Sequence, residues 1–204
     1  MSRSSARGLR ATASIGTLLC GVLVCGAVAF FVLGDEKRGL NAIKAKVRRD
    51  FPTVSQLSVD QLQARLTETD RPAPLLLDVR RAEEFAVSSL PGARQVDPDA
   101  DPQDLDLDLD IDLEREIVVY CSVGYRSSRL AARMQEAGFT DVHNLEGSIF
   151  EWADRGFPLR QGDQPAFRVH PYSRAWAWLV AEPMRAFKPE KALEPTGEPA
   201  PEAN

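Results

Sequence analysis

The segment that most restricts the fold is residues 117–137. Four apolar residues, 117–120, run directly into a short loop that starts at Cys121, and the loop opens a helix whose apolar positions recur at helical spacing. A buried strand that passes through a short loop into a helix is the repeating unit of α/β folds with a parallel sheet. The cysteine is therefore predicted to lie at a junction between a strand and a helix.

The rest of the chain supplies the other elements of such a fold. Ser58 and Gln61 have the form of a capping box, which predicts a helix start, and the apolar run 75–79 predicts a buried strand. Further patterns predict a helix over 81–87, a last strand over 142–145 and a short helix around Trp152. Strands that alternate with helices predict an α/β domain with a central, mainly parallel sheet flanked by helices.

The position of Cys121 predicts a reactive thiol. Backbone N–H groups and the positive end of a helix dipole stabilise an anion, so they favour the thiolate. An ordinary cysteine titrates near about 8.5, and such surroundings lower that pKa. Cys121 is the one cysteine outside the N-terminal apolar segment, so no disulfide is predicted within the domain.

Three motifs, in this order, resemble the single-domain rhodaneses, a family of sulfurtransferases. Residues 78–85 match the pattern D-V-R-x-x-x-E-F, residues 90–93 resemble the family's I-P-G-A turn, and residues 121–127 match its active-site loop, C-x-x-G-x-R-S. Segments between 138 and 159 resemble the end of the same domain. The resemblance covers roughly residues 54–160 and implies the rhodanese arrangement of strands and helices.

The resemblance also implies a set of site residues. Cys121 is the implied nucleophile, and the loop that binds the sulfur anion consists of Ser122, Val123, Gly124, Tyr125, Arg126 and Ser127. Three further residues are implied to support the loop: Asp78, Arg80 and Glu84. Two alternatives stay open. Arg126 either faces the substrate or pairs with an acid such as Glu84, and Asp78 with Arg80 either forms a structural ion pair or contacts the substrate.

The reaction that the resemblance implies is a double displacement. The Cys121 thiolate attacks the outer sulfur of thiosulfate, a small donor anion, or of a protein persulfide. The resulting Cys121 persulfide then gives this sulfur to a thiol or to cyanide. Such a thiosulfate sulfurtransferase is expected to need no cofactor and no metal.

Other functions for the same cysteine stay open. A thiolate is readily oxidised, so the alternatives are a membrane-tethered redox sensor and a rhodanese-like binding module without turnover. Phosphatases of related fold have five residues between cysteine and arginine, whereas four separate Cys121 from Arg126, which favours sulfur over phosphate. The net charge of -5 argues against a nucleic-acid partner.

The N-terminal segment predicts attachment to a membrane by a single span. Residues 11–34 contain no charged residue, and a helix of that length spans a hydrocarbon core of about 30 Å. A basic start and the small-residue site 27–29 leave a cleaved signal peptide, with export, as the alternative. More basic residues follow the span than precede it, which favours a cytoplasmic catalytic domain.

These patterns divide the chain into six parts. They are a basic N-terminal segment (1–10), a transmembrane anchor (11–34), a basic juxtamembrane linker expected to be a solvated helix (35–53), the rhodanese-like domain (54–160), a C-terminal extension with a short helix (161–188) and a disordered tail (189–204). Trp176 and Trp178 of the extension are expected to pack on the domain, with membrane contact as the alternative. The alternating acidic tract 104–114 predicts an extended segment with one buried face.

Overall fold

The computed structural model describes residues 36–102, 105 and 113–190. The predicted transmembrane anchor, most of the acidic tract and the tail beyond residue 190 lie outside these residues. Within them, no helix combines the length and the apolar character needed to cross a bilayer.

A five-stranded parallel sheet forms the centre of the domain. Its spatial order is β1-β5-β4-β2-β3, and each neighbouring pair is parallel. The strands are β1 (Ser55–Leu57), β2 (Leu75–Asp78), β3 (Arg94–Gln95), β4 (Ile117–Tyr120) and β5 (Val142–Leu145). The α/β architecture predicted from the sequence is confirmed.

Helices flank this sheet. They are α1 (36–50), α2 (Val59–Thr67), α3 (Ala82–Val87), α4 (Tyr125–Glu136) and α5 (Ser148–Asp154). The predicted capping box of α2 is present. Ser58 Oγ accepts a hydrogen bond from the Gln61 N–H at 3.2 Å, and Gln61 Oε1 accepts one from the Ser58 N–H at 2.9 Å.

Apolar side chains cover both faces of the sheet. Successive residues of a strand point to opposite faces, so Val118 and Tyr120 of β4 pack in one cluster, and Ile117 and Val119 pack in the other. All four side chains are completely buried. Burial on both faces explains why β4 is a continuous apolar run without polar alternation.

Residues 142–145 form a strand as predicted, but it is not the last strand of the chain. An antiparallel hairpin follows them, made of β6 (Leu159–Gln161) and β7 (Gln164–Ala166). Strands β1 and β3 were not predicted either. Each of these four strands has only two or three residues, which is too short to display a period of two. In the C-terminal extension, the predicted short helix takes the form of two 3₁₀ turns, Ala177–Leu179 and Glu182–Met184.

Helix α1 was expected to be a solvated spacer, and this is wrong for residues 36–50. The helix ends before Pro52 as predicted, but one side of it packs on the domain. Val47 is 2% exposed, and Leu40 and Ile43 pack against the buried cluster that includes Trp152. The apolar residues of the helix therefore belong to the core.

Two basic residues of α1 are paired with acids of the domain, and Lys46 is paired with Asp50 of the same helix. Lys44 Nζ lies 2.7 Å from Glu151 Oε2, and Arg48 Nη2 lies 2.7 Å from Glu146 Oε2. Each pair joins α1 to the region that follows β5, about a hundred residues later. Lys44 and Arg48, on a helix that was expected to be solvated, therefore bind acids within the protein.

Candidate active site

Cys121 lies at the carboxyl end of β4, immediately before the loop that leads into α4. Parallel α/β sheets place their active sites at the carboxyl ends of their strands. Asp78, the last residue of β2, stands beside Tyr120 in the register of the two strands. Asp78 and Cys121 therefore both lie at the end of the sheet formed by the carboxyl ends of its strands. The thiol forms no disulfide and is 1% exposed.

The loop after Cys121 curls around the sulfur atom. The Gly124 N–H donates a hydrogen bond to Cys121 Sγ at 3.1 Å. Gly124 has a φ of 102° at the start of α4, a conformation that glycine adopts without a steric cost. A Cβ at this position would also lie 3.2 Å from the side-chain nitrogen of Asn144.

The pKa of the Cys121 thiol is lowered from its ordinary value. Burial acts to raise this pKa, but the charge of Arg126 and hydrogen bonds from Ser127 and Val123 act in the opposite direction and prevail. The start of α4 adds the positive end of a helix dipole. The site therefore favours the thiolate, which is the nucleophilic form of cysteine.

Arg126 forms a bidentate ion pair with the buried side chain of Glu84. Nη1 and Nη2 each lie 3.0 Å from a different carboxylate oxygen, and Nη2 also donates to Ser122 Oγ at 3.0 Å. Burial acts to raise the pKa of Glu84, but the hydrogen bonds and charge of Arg126 lower it overall. Of the two roles that the resemblance allowed for Arg126, the geometry shows the ion pair that holds the loop.

Asp78 and Arg80 form a second ion pair beneath the loop. Both side chains are 0% exposed, and Arg80 Nη2 lies 2.7 Å from Asp78 Oδ2. The same nitrogen donates to the carbonyl oxygen of Ser88 at 2.5 Å. Burial acts to lower the pKa of Arg80, but Asp78 raises it overall. Neither side chain lines the cavity that opens over Cys121, so the geometry favours the structural role.

Two polar residues of β5 and α5 support the site, and the sequence analysis did not single them out. Ser148 Oγ accepts a hydrogen bond from the Cys121 N–H at 3.1 Å and donates one to the Leu145 carbonyl at 3.0 Å. Ser127 Oγ donates to Asn144 Oδ1 at 2.6 Å. Ser148 has a positive φ of 51°, which costs about 1–3 kcal/mol for a residue other than glycine. The local sequence does not predict the contacts of Ser148 with Cys121 and of Asn144 with Ser127, because the partners lie 27 and 17 residues apart.

The other predicted loop residues face the entrance of the site. Val123 is 9% exposed, and Tyr125 is 39% exposed. The Tyr125 ring packs edge-on against Phe51 at 5.2 Å between centroids, and Lys46 Nζ lies 5.3 Å from its centroid. Tyr125 therefore joins the active-site loop to α1.

A cavity of about 320 Å³ opens over Cys121. The loop supplies its floor. Its walls come from α1, α5 and the C-terminal extension, with Ile43, Lys46, Phe150, Tyr172 and Trp176 among the lining residues. Among the described residues, no group of three or more His, Cys, Asp or Glu side chains is arranged to hold a metal ion.

Comparison with known proteins identifies the family. The model of the rhodanese-like domain matches residues 58–155. Over 106 residues the chain is 32% identical to a sulfurtransferase of Allochromatium vinosum, and the match covers 52% of this chain and 94% of that protein. The chain belongs to the rhodanese-like family. The rhodanese-like domain thus carries both Cys121 and the two ion pairs, whereas α1 and the C-terminal extension lie outside the matched residues.

Other similar proteins include larger ones. A tRNA uridine(34) hydroxylase of Escherichia coli is 31% identical over 145 residues, but the match covers only 41% of that protein. Among solved structures, a rhodanese-like domain protein from Staphylococcus aureus is 27% identical with a TM-score of 0.45, and the match covers 52% of this chain and 97% of that one. A thiosulfate sulfurtransferase from Pseudomonas aeruginosa is 23% identical with a TM-score of 0.49, and the match covers 68% of this chain and 26% of that one.

Proposed function

We propose that this protein transfers a sulfane sulfur from thiosulfate or a persulfide donor to a thiol or cyanide through a persulfide on Cys121. The observation that carries the proposal is the loop around the sulfur. The Gly124 N–H lies 3.1 Å from Cys121 Sγ, and the surroundings lower the pKa of the thiol. The sulfurtransferase relative supports the same class of reaction.

The chain's own residues account for each step of this reaction. The Cys121 thiolate attacks the outer sulfur of the donor, the bond between that sulfur and the rest of the donor breaks, and its electron pair leaves with the departing group. The loop N–H groups then face the terminal sulfur of the persulfide, which is an anion. Cyanide or a thiolate takes this sulfur and returns the Cys121 thiolate. No histidine is required, because the loop already favours the thiolate.

Steady-state kinetics test the proposal. Thiocyanate formation is measured while thiosulfate and cyanide are varied, and parallel double-reciprocal lines are expected because the enzyme alternates between two forms. Cys121→Ser should abolish turnover. The double variant Cys20→Ser, Cys25→Ser is the matched control, and it should retain activity. A wild type that forms a sulfenic acid with peroxide but yields no thiocyanate with thiosulfate or a persulfide donor would contradict the proposal and support a redox sensor.

Membrane attachment is a separate part of the proposal. We propose that residues 11–34 anchor the chain as a single span with the catalytic domain in the cytoplasm. The support is the uncharged length of this segment and the basic residues that follow it. The full chain should resist extraction from membranes at alkaline pH, and its domain should be protected from protease in intact spheroplasts. Release by alkali, or a mature N-terminus after residue 29, would contradict the anchor.

A further inference from the structure

Part of the mouth of the Cys121 cavity is built by residues from outside the family domain. Ile43 belongs to α1, whereas Tyr172 and Trp176 belong to the C-terminal extension, and all three line the cavity. The family match ends at residue 155 and starts at residue 58. The floor of the site therefore lies within the residues that match the family, and part of the entrance lies in α1 and the C-terminal extension.

Tyr172 is held in place from several sides. Its ring lies 4.9 Å from the Arg126 guanidinium and 5.2 Å from that of Arg81, with distances taken to the ring centroid. Its ring packs edge-on against Trp176 at 6.4 Å. Its backbone has a φ of 66°, which is uncommon for a residue other than glycine and is typical of functional sites. The rings of Tyr172 and Trp176 thus form one wall of the cavity, next to Arg126.

The two cationic side chains that line the cavity are each paired with an acid. Arg126 is paired with Glu84, with both contacts at 3.0 Å, and Lys46 forms an ion pair with Asp50. A dianion such as thiosulfate meets no excess of positive charge from these four side chains. The walls instead offer aromatic and aliphatic surface, which favours a donor that buries an apolar group.

We propose that the cavity selects sulfane-sulfur donors with an apolar organic body over thiosulfate, and that Tyr172 and Trp176 set this preference. The inference rests on the sulfur transfer proposed above and names its substrate class: organic persulfides and thiosulfonates of small size. In R–S–S⁻ or R–SO₂–S⁻, the Cys121 thiolate takes the outer sulfur, and the bond behind it breaks. R–S⁻ or R–SO₂⁻ leaves with the electron pair, so that no oxidant and no proton is consumed.

Donor specificity measured on the full chain tests this inference. Values of kcat/KM are compared for benzenethiosulfonate, methanethiosulfonate and thiosulfate, with cyanide as acceptor. The wild type should favour the phenyl donor over the methyl donor by about tenfold or more. Trp176→Ala and Trp176→Gln should each reduce this ratio several-fold. The intrinsic reactivity of the two donors is the same for every variant. A change in the ratio of their kcat/KM values between wild type and variant therefore reports on the cavity.

The control is Phe167→Ala, which removes an aromatic ring of the same extension that is 75% exposed and does not line the cavity. This variant should keep the wild-type ratio. An equal ratio in wild type and both Trp176 variants would overturn the inference while leaving sulfur transfer intact.

If no donor forms a persulfide, the proposed function fails. The preference of the cavity is then tested by how far a ligand protects Cys121 from alkylation by iodoacetamide. Protection by benzenesulfinate but not methanesulfinate would support an apolar site, and equal protection would overturn it.

Discussion

The Cys121 thiolate is subject to two opposing influences, burial and positive charge. Burial alone would keep the thiol protonated, and the charge of Arg126 together with hydrogen bonds of the loop reverses this effect. Arg126 lowers the pKa of Cys121 while it is paired with Glu84. It therefore does not need to bind the substrate in order to activate the cysteine. The sequence motif places four residues between Cys121 and Arg126. It did not decide whether Arg126 contacts the substrate or forms an ion pair, because Glu84 lies 42 residues away from Arg126.

The rate of alkylation of Cys121 by iodoacetamide should report its lowered pKa. The thiolate fraction rises as pH passes upward through the pKa, so a lowered pKa moves the midpoint of the rate profile below the ordinary value of about 8.5. Arg126→Ala should move the midpoint to higher pH. Arg129→Ala, which removes a half-exposed arginine of the same helix that pairs with Asp99, should leave the midpoint in place. A wild-type midpoint at or above the ordinary value would contradict the assignment.

The ion pair of Asp78 and Arg80 should contribute to folding. Asp78→Asn leaves a completely buried guanidinium without its carboxylate, and such losses cost about 3–5 kcal/mol. The free energy of unfolding in urea measures this change. Asp60→Asn removes the acid of an exposed pair with Arg155 and should cost less than about 1 kcal/mol. If Asp78→Asn keeps wild-type stability but loses turnover, the pair acts on the substrate instead.

At the scale of elements, the site depends on how β4 passes into α4. Gly124 allows this passage, because the φ of 102° and the nearby Asn144 side chain both exclude an ordinary residue. Strands β2 and β4 and helix α2 could be predicted, since each has a continuous apolar run or a capping pattern in its own sequence. Strands β1, β3, β6 and β7 could not, because their hydrogen-bonding partners are set by tertiary structure and their two or three residues carry no periodic signal.

Gly124→Ala should disrupt both the element and the site. We expect a loss of about 1–3 kcal/mol in the free energy of unfolding and a loss of thiocyanate formation. Gly156→Ala is the matched control, since Gly156 also has a positive φ, of 70°, but a Cβ there would meet nothing within 4 Å. That variant should be moderately destabilised and should remain active. Full activity of Gly124→Ala would show that the loop does not need its curl.

At the scale of the whole molecule, two segments outside the family domain complete the cavity. α1 packs beneath the C-terminal extension, where a Cβ at Gly39 would lie 2.2 Å from the ring of Trp178. The sequence predicted that α1 is a helix but not that it packs on the domain. Basic residues on a helix can contact anionic lipid or acidic side chains, and in this protein they contact Glu146 and Glu151. The sequence predicted that Trp178 packs on the domain, but it did not predict that the ring packs against α1 at Gly39.

Gly39→Ala should separate these two segments. Overpacking of this kind costs about 1–3 kcal/mol, measured as the free energy of unfolding in urea. Limited proteolysis within residues 167–187 should become faster. Asn41→Ala, at an exposed position of the same helix, should change neither quantity. If Gly39→Ala matches the wild type in both measurements, α1 and the extension are not packed as described.

The most direct test of the central claim is the intact mass of the purified full chain after incubation with thiosulfate or an organic persulfide donor, and again after addition of cyanide. The wild type should gain the mass of one sulfur atom and lose it to cyanide as thiocyanate, whereas Cys121→Ser should gain none. Absence of a sulfur adduct on the wild type with every donor, or an equal adduct on Cys121→Ser, would contradict sulfur transfer through Cys121.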